Sequence, residues 1–363
     1  MFLANAGARV VLVERMAVPR YKTCGGGVVA RAVDRLPGCV GATAERRCRT
    51  VELGFPDDGS RFVVERDQPI VTMTMRSELD RALLDVARNA GAEVRDRCAF
   101  RGLLERSRGL EVETERGPLR ARFLIGADGA NGPVARHAGW DDVPYCVPAL
   151  EAEVRVDAAT LQRFSGTARF DFGLPADGYA WVFPKRRHLS VGLLHMRRGA
   201  RGLKALLPRY LDAVGLSRVD GIDVHGSLIP VRPRRGGFVR GRVLLAGDSA
   251  GLADPVTGEG ISHAIESGRV AASALLNGEL VPAEVARLYR RGLERRILGE
   301  LRFARPLAHL LYRHPRLRRF AFRRLGQSMC RVITDVIVGR GSYRRILSSP
   351  ANYLRLLRRV ALP

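Results

Sequence analysis

Three short apolar runs in this sequence each end in an acid set among glycines or charges, an arrangement suited to holding hydroxyls and phosphates. Arg242-Val243-Leu244-Leu245-Ala246 leads into Gly247-Asp248, then Asp254-Pro255-Val256-Thr257-Gly258-Glu259-Gly260-Ile261. The pattern predicts a helix from about Ser262 to Leu276 directly after that turn. Backbone N–H groups at the positive end of such a helix favour phosphate or an electron-rich ring, and Asp248 can accept from hydroxyls. A second run, Leu119 to Ile125, delivers Asp128 between Gly126 and Gly129, so that Gly129 lets a ligand approach the backbone. A third, Arg9 to Val13, ends in Glu14-Arg15. An acid at the C-terminal end of a buried parallel strand is placed to bond a ribose.

Two further groups are open to more than one reading. Cys24-Gly25-Gly26-Gly27 is either a flexible loop or a backbone that approaches a flat or phosphorylated ligand, and Cys24 alone is ambiguous. Tyr179, Trp181 and Phe183 alternate, so they project from one face of a strand, as core or as a binding surface. The six cysteines, Cys24, Cys39, Cys48, Cys98, Cys146 and Cys330, show no zinc-ligand spacing, and no metal site is expected. They read as free thiols of a reducing cytoplasm.

The positioning elements follow from periodicity. Met1 to Ala6 reads as a helix end capped by Gly7, and Arg9 to Val13 as a strand buried on both faces. Residues 50–74 read as strands with a hairpin turn at Asp57-Asp58-Gly59. A helix from Arg76 to Asn89 is expected, capped by Thr74 or Ser77, with Gly91 past its end. Phe100–Arg106, Leu110–Glu115 and Leu119–Ile125 read as a three-stranded meander, and 141–237 as alternating strands with a helix near Leu203 to Val214. The expected class is α/β. A discontinuous nucleotide-binding Rossmann-like domain takes 1–50, 72–140 and 238–282. A mostly antiparallel β-rich substrate domain takes 51–71 and 141–237, and a basic helical region 283–363.

The 363 residues carry 61 Lys plus Arg against 37 Asp plus Glu, a formal charge of +24. From Glu284 onward there are 20 Arg and 4 acids, so most of the excess lies in the last 80 residues. With 46% hydrophobic residues the chain is not wholly disordered, and no apolar run reaches the length of a spanning helix. The charge suggests a nucleic-acid binder as the non-enzymatic reading. No helix-turn-helix, zinc-finger or RNA-binding signature accompanies it, and no nucleic-acid partner is expected.

Taken in order, Val13-Glu14, Lys22 to Gly27, Arg76-Ser77-Glu78-Leu79-Asp80, Gly126 to Gly129, Tyr179 to Pro184 and Gly247 to Gly260 resemble the geranylgeranyl reductase family of FAD-dependent oxidoreductases. That family has a p-hydroxybenzoate-hydroxylase-like fold, and the resemblance covers roughly residues 1–280. It implies FAD as cofactor, NAD(P)H or another reduced donor, and hydride delivery to a double bond of a geranylgeranyl or other isoprenoid chain. It further implies that Glu14 and Arg15 hold the adenosine ribose side and Arg76 the pyrophosphate region. Gly247 and Asp248 would meet the ribityl or pyrophosphate region, and Asp128-Gly129 would sit beside the cofactor. Gly258, Gly260 and Ile261 would line the isoalloxazine, with Cys24, Gly25 and Gly26 near the flavin. Cys24, Tyr179, Trp181 and Phe183 are the catalytic candidates. The family opens with a strand and G-x-G-x-x-G, and about 20 residues of that kind are expected upstream of Met1 in a longer frame.

A flavin monooxygenase or halogenase is the competing enzyme, because the FAD motifs are common to the wider flavin group. Arg313 to Phe320 and Tyr353 to Val360 mix Arg with Leu and aromatic residues, as in basic helices that lie on anionic bilayers. The expected location is therefore cytoplasmic, with peripheral attachment to the inner face of the membrane.

Overall fold

A strand apolar at every position sits at the centre of the parallel pairing behind the Gly247 turn. Val243–Leu245 is buried throughout and pairs in parallel with Leu124–Gly126. Val11–Val13 pairs in parallel with Glu93–Arg95, beside the helix Arg76–Asn89. The helix Ile261–Asn277 packs Val270, Ala271, Ala274 and Leu275 into the same core as Leu244 and Leu245. These are facts of a computed structural model that describes residues 1–36 and 38–348.

Alternating strands build a seven-stranded sheet ordered Gly221–Pro230, Cys146–Arg155, Leu189–His195, Gly178–Pro184, Thr167–Phe172, Thr50–Phe55 and Ser60–Glu65. All neighbours are antiparallel except Thr167–Phe172 with Thr50–Phe55. Successive side chains point to opposite faces. Ala180, Val182, Leu189, Val191 and Leu193 meet the helix Leu203–Ala213 through Leu203, Leu207, Tyr210 and Leu211. The opposite face carries Tyr179, Trp181 and Leu194 into the largest core. A separate three-stranded sheet of Gly27–Val29, Val71–Thr74 and Ala44–Cys48 contributes to that core.

The C-terminal residues are helical over Pro282–Leu293, Glu294–Leu298 (a π turn), Gly299–Arg313, Pro315–Ile337 and Tyr343–Ser348. Ala304, Ala308, Leu311, Tyr312 and Phe322 join the core that holds the aromatic face. Phe322 packs against Phe55 and Phe172 at centroid distances of 5.0 and 5.2 Å. The described part of the basic region thus has a core face and a surface face. Tyr353 to Val360 lies outside the described residues.

Two local expectations are corrected. Helix Arg76–Asn89 begins behind Met75 with no side-chain cap, and the Thr74 hydroxyl instead donates to the Gly26 carbonyl at 3.2 Å. The expected third meander strand also divides. Leu119–Ala121 pairs with Gly109–Thr114, whereas Leu124–Gly126 crosses into the parallel sheet against Val243–Leu245. The apolar Leu124-Ile125 pair gains more by burial there than at the edge of a half-exposed meander.

Candidate active site

At the end of strand Val11–Val13 the Glu14 carboxylate accepts from the Met16 N–H and from Arg20 Nε, each at 3.0 Å. Arg20 also donates to Asp80 at 3.1 Å, and Asp80 takes both Nε and Nη2 of Arg76 at 2.9 and 3.0 Å. Glu14, Arg20, Asp80 and Arg76 therefore form a chain of alternating charge. Burial opposes the charge of Arg76, but the Cys24 and Asp80 contacts outweigh it and hold the guanidinium firmly protonated. Cys24 lies close enough to Arg76 to favour its charge, which carries the chain to the glycine loop. Exposed Arg15 does not join these contacts.

Packing constrains the first two glycines of that loop. Gly26 has φ +66°, and a Cβ there would collide with the Thr74 carbonyl. A Cβ on Gly25 would lie 3.0 Å from both Phe183 and the Trp181 indole nitrogen. Lys185, only 1% exposed, donates from Nζ to the carbonyls of Gly25 at 2.7 Å and Thr74 at 2.8 Å. Burial pushes the Lys185 ammonium below its ordinary value, partly countered by Cys24 and nearby glutamates. Lys185 thus pins the loop to the strand Val71–Thr74. Its place next to Pro184 in the aromatic stretch was visible in the sequence, but its partners lie more than 100 residues away.

Tyr179, Trp181 and Phe183 lie on one face, with neighbouring centroids 6.2 and 6.1 Å apart. Phe170 joins them from the next strand, 5.3 Å from Phe183, and Tyr312 from the helix Gly299–Arg313, 6.4 Å from Tyr179. Trp181 and Phe183 touch the first glycine loop, as the Gly25 contacts require. Tyr179 donates from its hydroxyl to the Thr257 carbonyl, and a Cβ on Gly258 would lie 3.0 Å from that hydroxyl. The stripe therefore spans from one glycine loop to the other.

The second loop is internally braced. Asp254 accepts from the N–H groups of Val256 at 2.7 Å and Thr257 at 3.1 Å, and from the Tyr343 hydroxyl at 3.1 Å. Tyr312 donates to the Val256 carbonyl. Glu259 accepts from Ser262 N–H and pairs with Arg31 at 3.1 Å. Burial alone would raise the Glu259 carboxyl, but His263, Arg31 and Ser262 together hold it below its ordinary value. The helix Ile261–Asn277 opens behind Gly260, which has no side chain to cap it. A Cβ on Gly260 would lie 3.3 Å from Asp248 Oδ1, so the turn and Asp248 converge. Gly247 has φ +56°, and its N–H donates to Ser267 Oγ at 2.9 Å.

Asp128 Oδ2 accepts from the Val134 N–H at 2.9 Å, and Oδ1 accepts from Ser249 Oγ at 2.8 Å. Its carboxylate ties the turn that follows Leu124–Gly126 to the turn that follows Val243–Leu245. Lys22 completes the setting. Burial and the Arg76 charge push its ammonium down, while Asp248, Asp80 and Cys24 push it back.

The donor set fits a dinucleotide flavin. An acid ends a parallel strand, cations line the middle, and the two glycine loops bring backbone close to the aromatic stripe and to Asp248 at the start of a helix. Asp254 and Glu259, inside the glycine motif, are joined by Tyr312 and Tyr343, which no motif announces. Among the described residues, no cluster of His, Cys, Asp and Glu could hold a metal ion.

A family model described as an FAD binding domain matches residues 1–188. Digeranylgeranylglycerophospholipid reductase 1 of Methanopyrus kandleri is 34% identical over 298 residues, which are 74% of this chain and 74% of that protein. A geranylgeranyl bacteriochlorophyll reductase-like structure from Thermoplasma acidophilum superposes with a TM-score of 0.79 at 19% identity, covering 98% of this chain and 94% of the other. The halogenase PltM shares the fold at a TM-score of 0.70 and 16% identity, covering 100% of this chain and 89% of its own.

Proposed function

The chain belongs to the geranylgeranyl reductase family of FAD-dependent oxidoreductases, and on that premise we infer that it reduces carbon–carbon double bonds of an isoprenoid chain at the aromatic stripe. The observation that carries this reading is the stripe itself, which joins the Cys24–Gly27 loop to the Gly258–Gly260 turn. Glu14 would hold the adenosine ribose. Arg76, Gly247 and Asp248 would meet the pyrophosphate and ribityl region, with Asp128-Gly129 beside them. Gly25, Gly26, Gly258, Gly260 and Ile261 would flank the ring. FAD, when bound and reduced, supplies the electron pair that an alkene carbon receives as hydride.

An isolated alkene accepts hydride poorly, so positive charge must be tolerated at carbon while a proton arrives, and water must be kept out. The ring faces of Tyr179, Trp181 and Phe183 suit both tasks, since they bind an apolar chain and attract a developing cation. Cys24, held beside Arg76, fixes the loop that faces them. The division of labour we propose gives the nucleotide to 1–50, 72–140 and 238–282, and the isoprenoid to 51–71 and 141–237, with Tyr312 of the helix Gly299–Arg313 closing on the aromatic face.

The Methanopyrus relative is named for a phospholipid, and a prenyl lipid is the substrate class proposed here. No helix among the described residues is long and apolar enough to cross a membrane. Leu310, Leu317 and Phe320 are 46–51% exposed around the elbow between the last two long helices, among Arg313, Arg316 and Arg319. That elbow would rest on an anionic bilayer surface. The same fold in PltM makes halogenation the rival, and oxygen separates the two. Isoprenoid reduction proceeds anaerobically with a reduced donor such as NAD(P)H, whereas a product formed only with oxygen would refute the reductase reading.

A further inference from the structure

Reduction of an alkene needs a proton as well as a hydride, and one buried acid lies on the aromatic face. Cross-strand register puts Trp181, Gly192, Glu151 and His225 in a single row. Directly paired residues point to the same side of a sheet. Gly192 is essential to the row, because a Cβ there would collide with the Trp181 ring, which lies over it toward Glu151. Trp181 Nε1 donates to Ser190 Oγ at 3.4 Å, and Ser190 donates to Glu151 Oε1 at 3.0 Å. The Tyr21 hydroxyl lies 2.6 Å from Glu151 Oε2. Tyr21 stands three residues before Cys24, stacks on His225 at 4.3 Å, and is 40% exposed, whereas Glu151 is 2% exposed.

We propose that Glu151 and Tyr21 are the proton-delivery pair of the reduction. The inference rests on the isoprenoid-reductase reading. The Tyr21 hydroxyl gives its proton to one alkene carbon as the other carbon takes the hydride from reduced FAD. The π bond breaks and two C–H bonds form. Glu151 returns a proton to the phenolic oxygen, becomes a carboxylate, and regains its proton from water reaching the exposed side of Tyr21. Tyr21 is thus the catalytic residue, and Glu151 acts through it.

The surroundings favour the protonated form of the acid. Burial raises the Glu151 carboxyl above its ordinary range, more than the Tyr21 and Ser190 hydrogen bonds lower it. Glu153, on the same strand, also raises it and Lys185 opposes. His188 pairs with Glu153 at 3.3 Å, and His225 faces Glu151 from the edge strand. These are the titratable groups around the pair.

The first readout needs no turnover. The infrared difference spectrum between wild type and Glu151→Gln at neutral pH should contain the C=O stretch of a protonated carboxyl. In turnover, Glu151→Gln and Tyr21→Phe should each lower the rate on a geranylgeranyl lipid roughly a hundredfold, the scale of a lost general acid. FAD content and flavin reduction by the donor should stay unchanged. Wild-type turnover should fall as pH rises through the Glu151 pKa, and Glu151→Gln should lose that limb. Ser190→Ala, a milder change, removes a hydrogen bond to the carboxylate and should move the limb to higher pH; a purely structural role would leave it in place. An ionised Glu151 at neutral pH, or a Glu151→Gln enzyme with wild-type rate and pH profile, overturns the proposal. A wild type that reduces no isoprenoid bond although the carboxyl stretch is present refutes the function, and the proposal with it.

Discussion

Single side chains decide whether the two glycine loops hold FAD and whether the aromatic stripe does chemistry. Asp248→Ala removes an acceptor beside Gly260 that the cofactor's hydroxyls would use. Losing a charged hydrogen-bond partner costs on the order of 1.5–3 kcal/mol, so FAD affinity should fall at least tenfold. Equilibrium dialysis of the purified variant measures this, and unchanged FAD occupancy would move the site elsewhere. Trp181 allows a sharper separation, because its ring both fills the space over Gly192 and meets Gly25. Trp181→Phe should keep the flavin spectrum and lower turnover on a prenyl lipid by more than any loss of folded protein explains. A drop in Tm with unchanged rate per folded molecule would make the residue core alone.

The elements that carry these residues were legible in the sequence where local pattern sufficed. The strand Val243–Leu245, the helix Arg76–Asn89 and the turn before Ile261 follow from apolar runs, periodicity and glycines. What stayed hidden depends on partners distant in the chain. Nothing local shows that Leu124 leaves the meander for Val243, that Lys185 reaches Gly25, or that Tyr312 and Tyr343 bind the 254–260 loop. That loop yields a pH prediction. The native Glu259 carboxyl is held below its unfolded value, so its contribution to stability is fully present above the ordinary glutamate range, near 4.5. It is lost as pH falls through the lowered native value. Thermal melts across acid pH should show Glu259→Gln losing part of the wild-type acid slope. An unchanged slope would mean that Arg31 and His263 do not stabilise the charge.

For the whole molecule, the basic C-terminal region has two faces with different work. Phe322 and Tyr312 close the aromatic core, while Leu310, Leu317 and Phe320 stand outward among arginines. Each basic residue near an anionic surface contributes about 1 kcal/mol, screened by salt. Sedimentation with phosphatidylserine vesicles should therefore weaken steeply with salt, and Leu317→Glu with Phe320→Glu should abolish it. Binding indifferent to anionic lipid and salt would exclude this surface. The central claim is that reduced FAD at the two glycine loops passes its electrons to an isoprenoid at the stripe. The most direct measurement mixes the anaerobically reduced holoenzyme with a geranylgeranyl lipid and follows flavin absorbance and lipid mass together. The account predicts that the oxidised flavin spectrum returns in step with one added hydrogen pair per flavin; a flavin that stays reduced beside an unchanged lipid would contradict it.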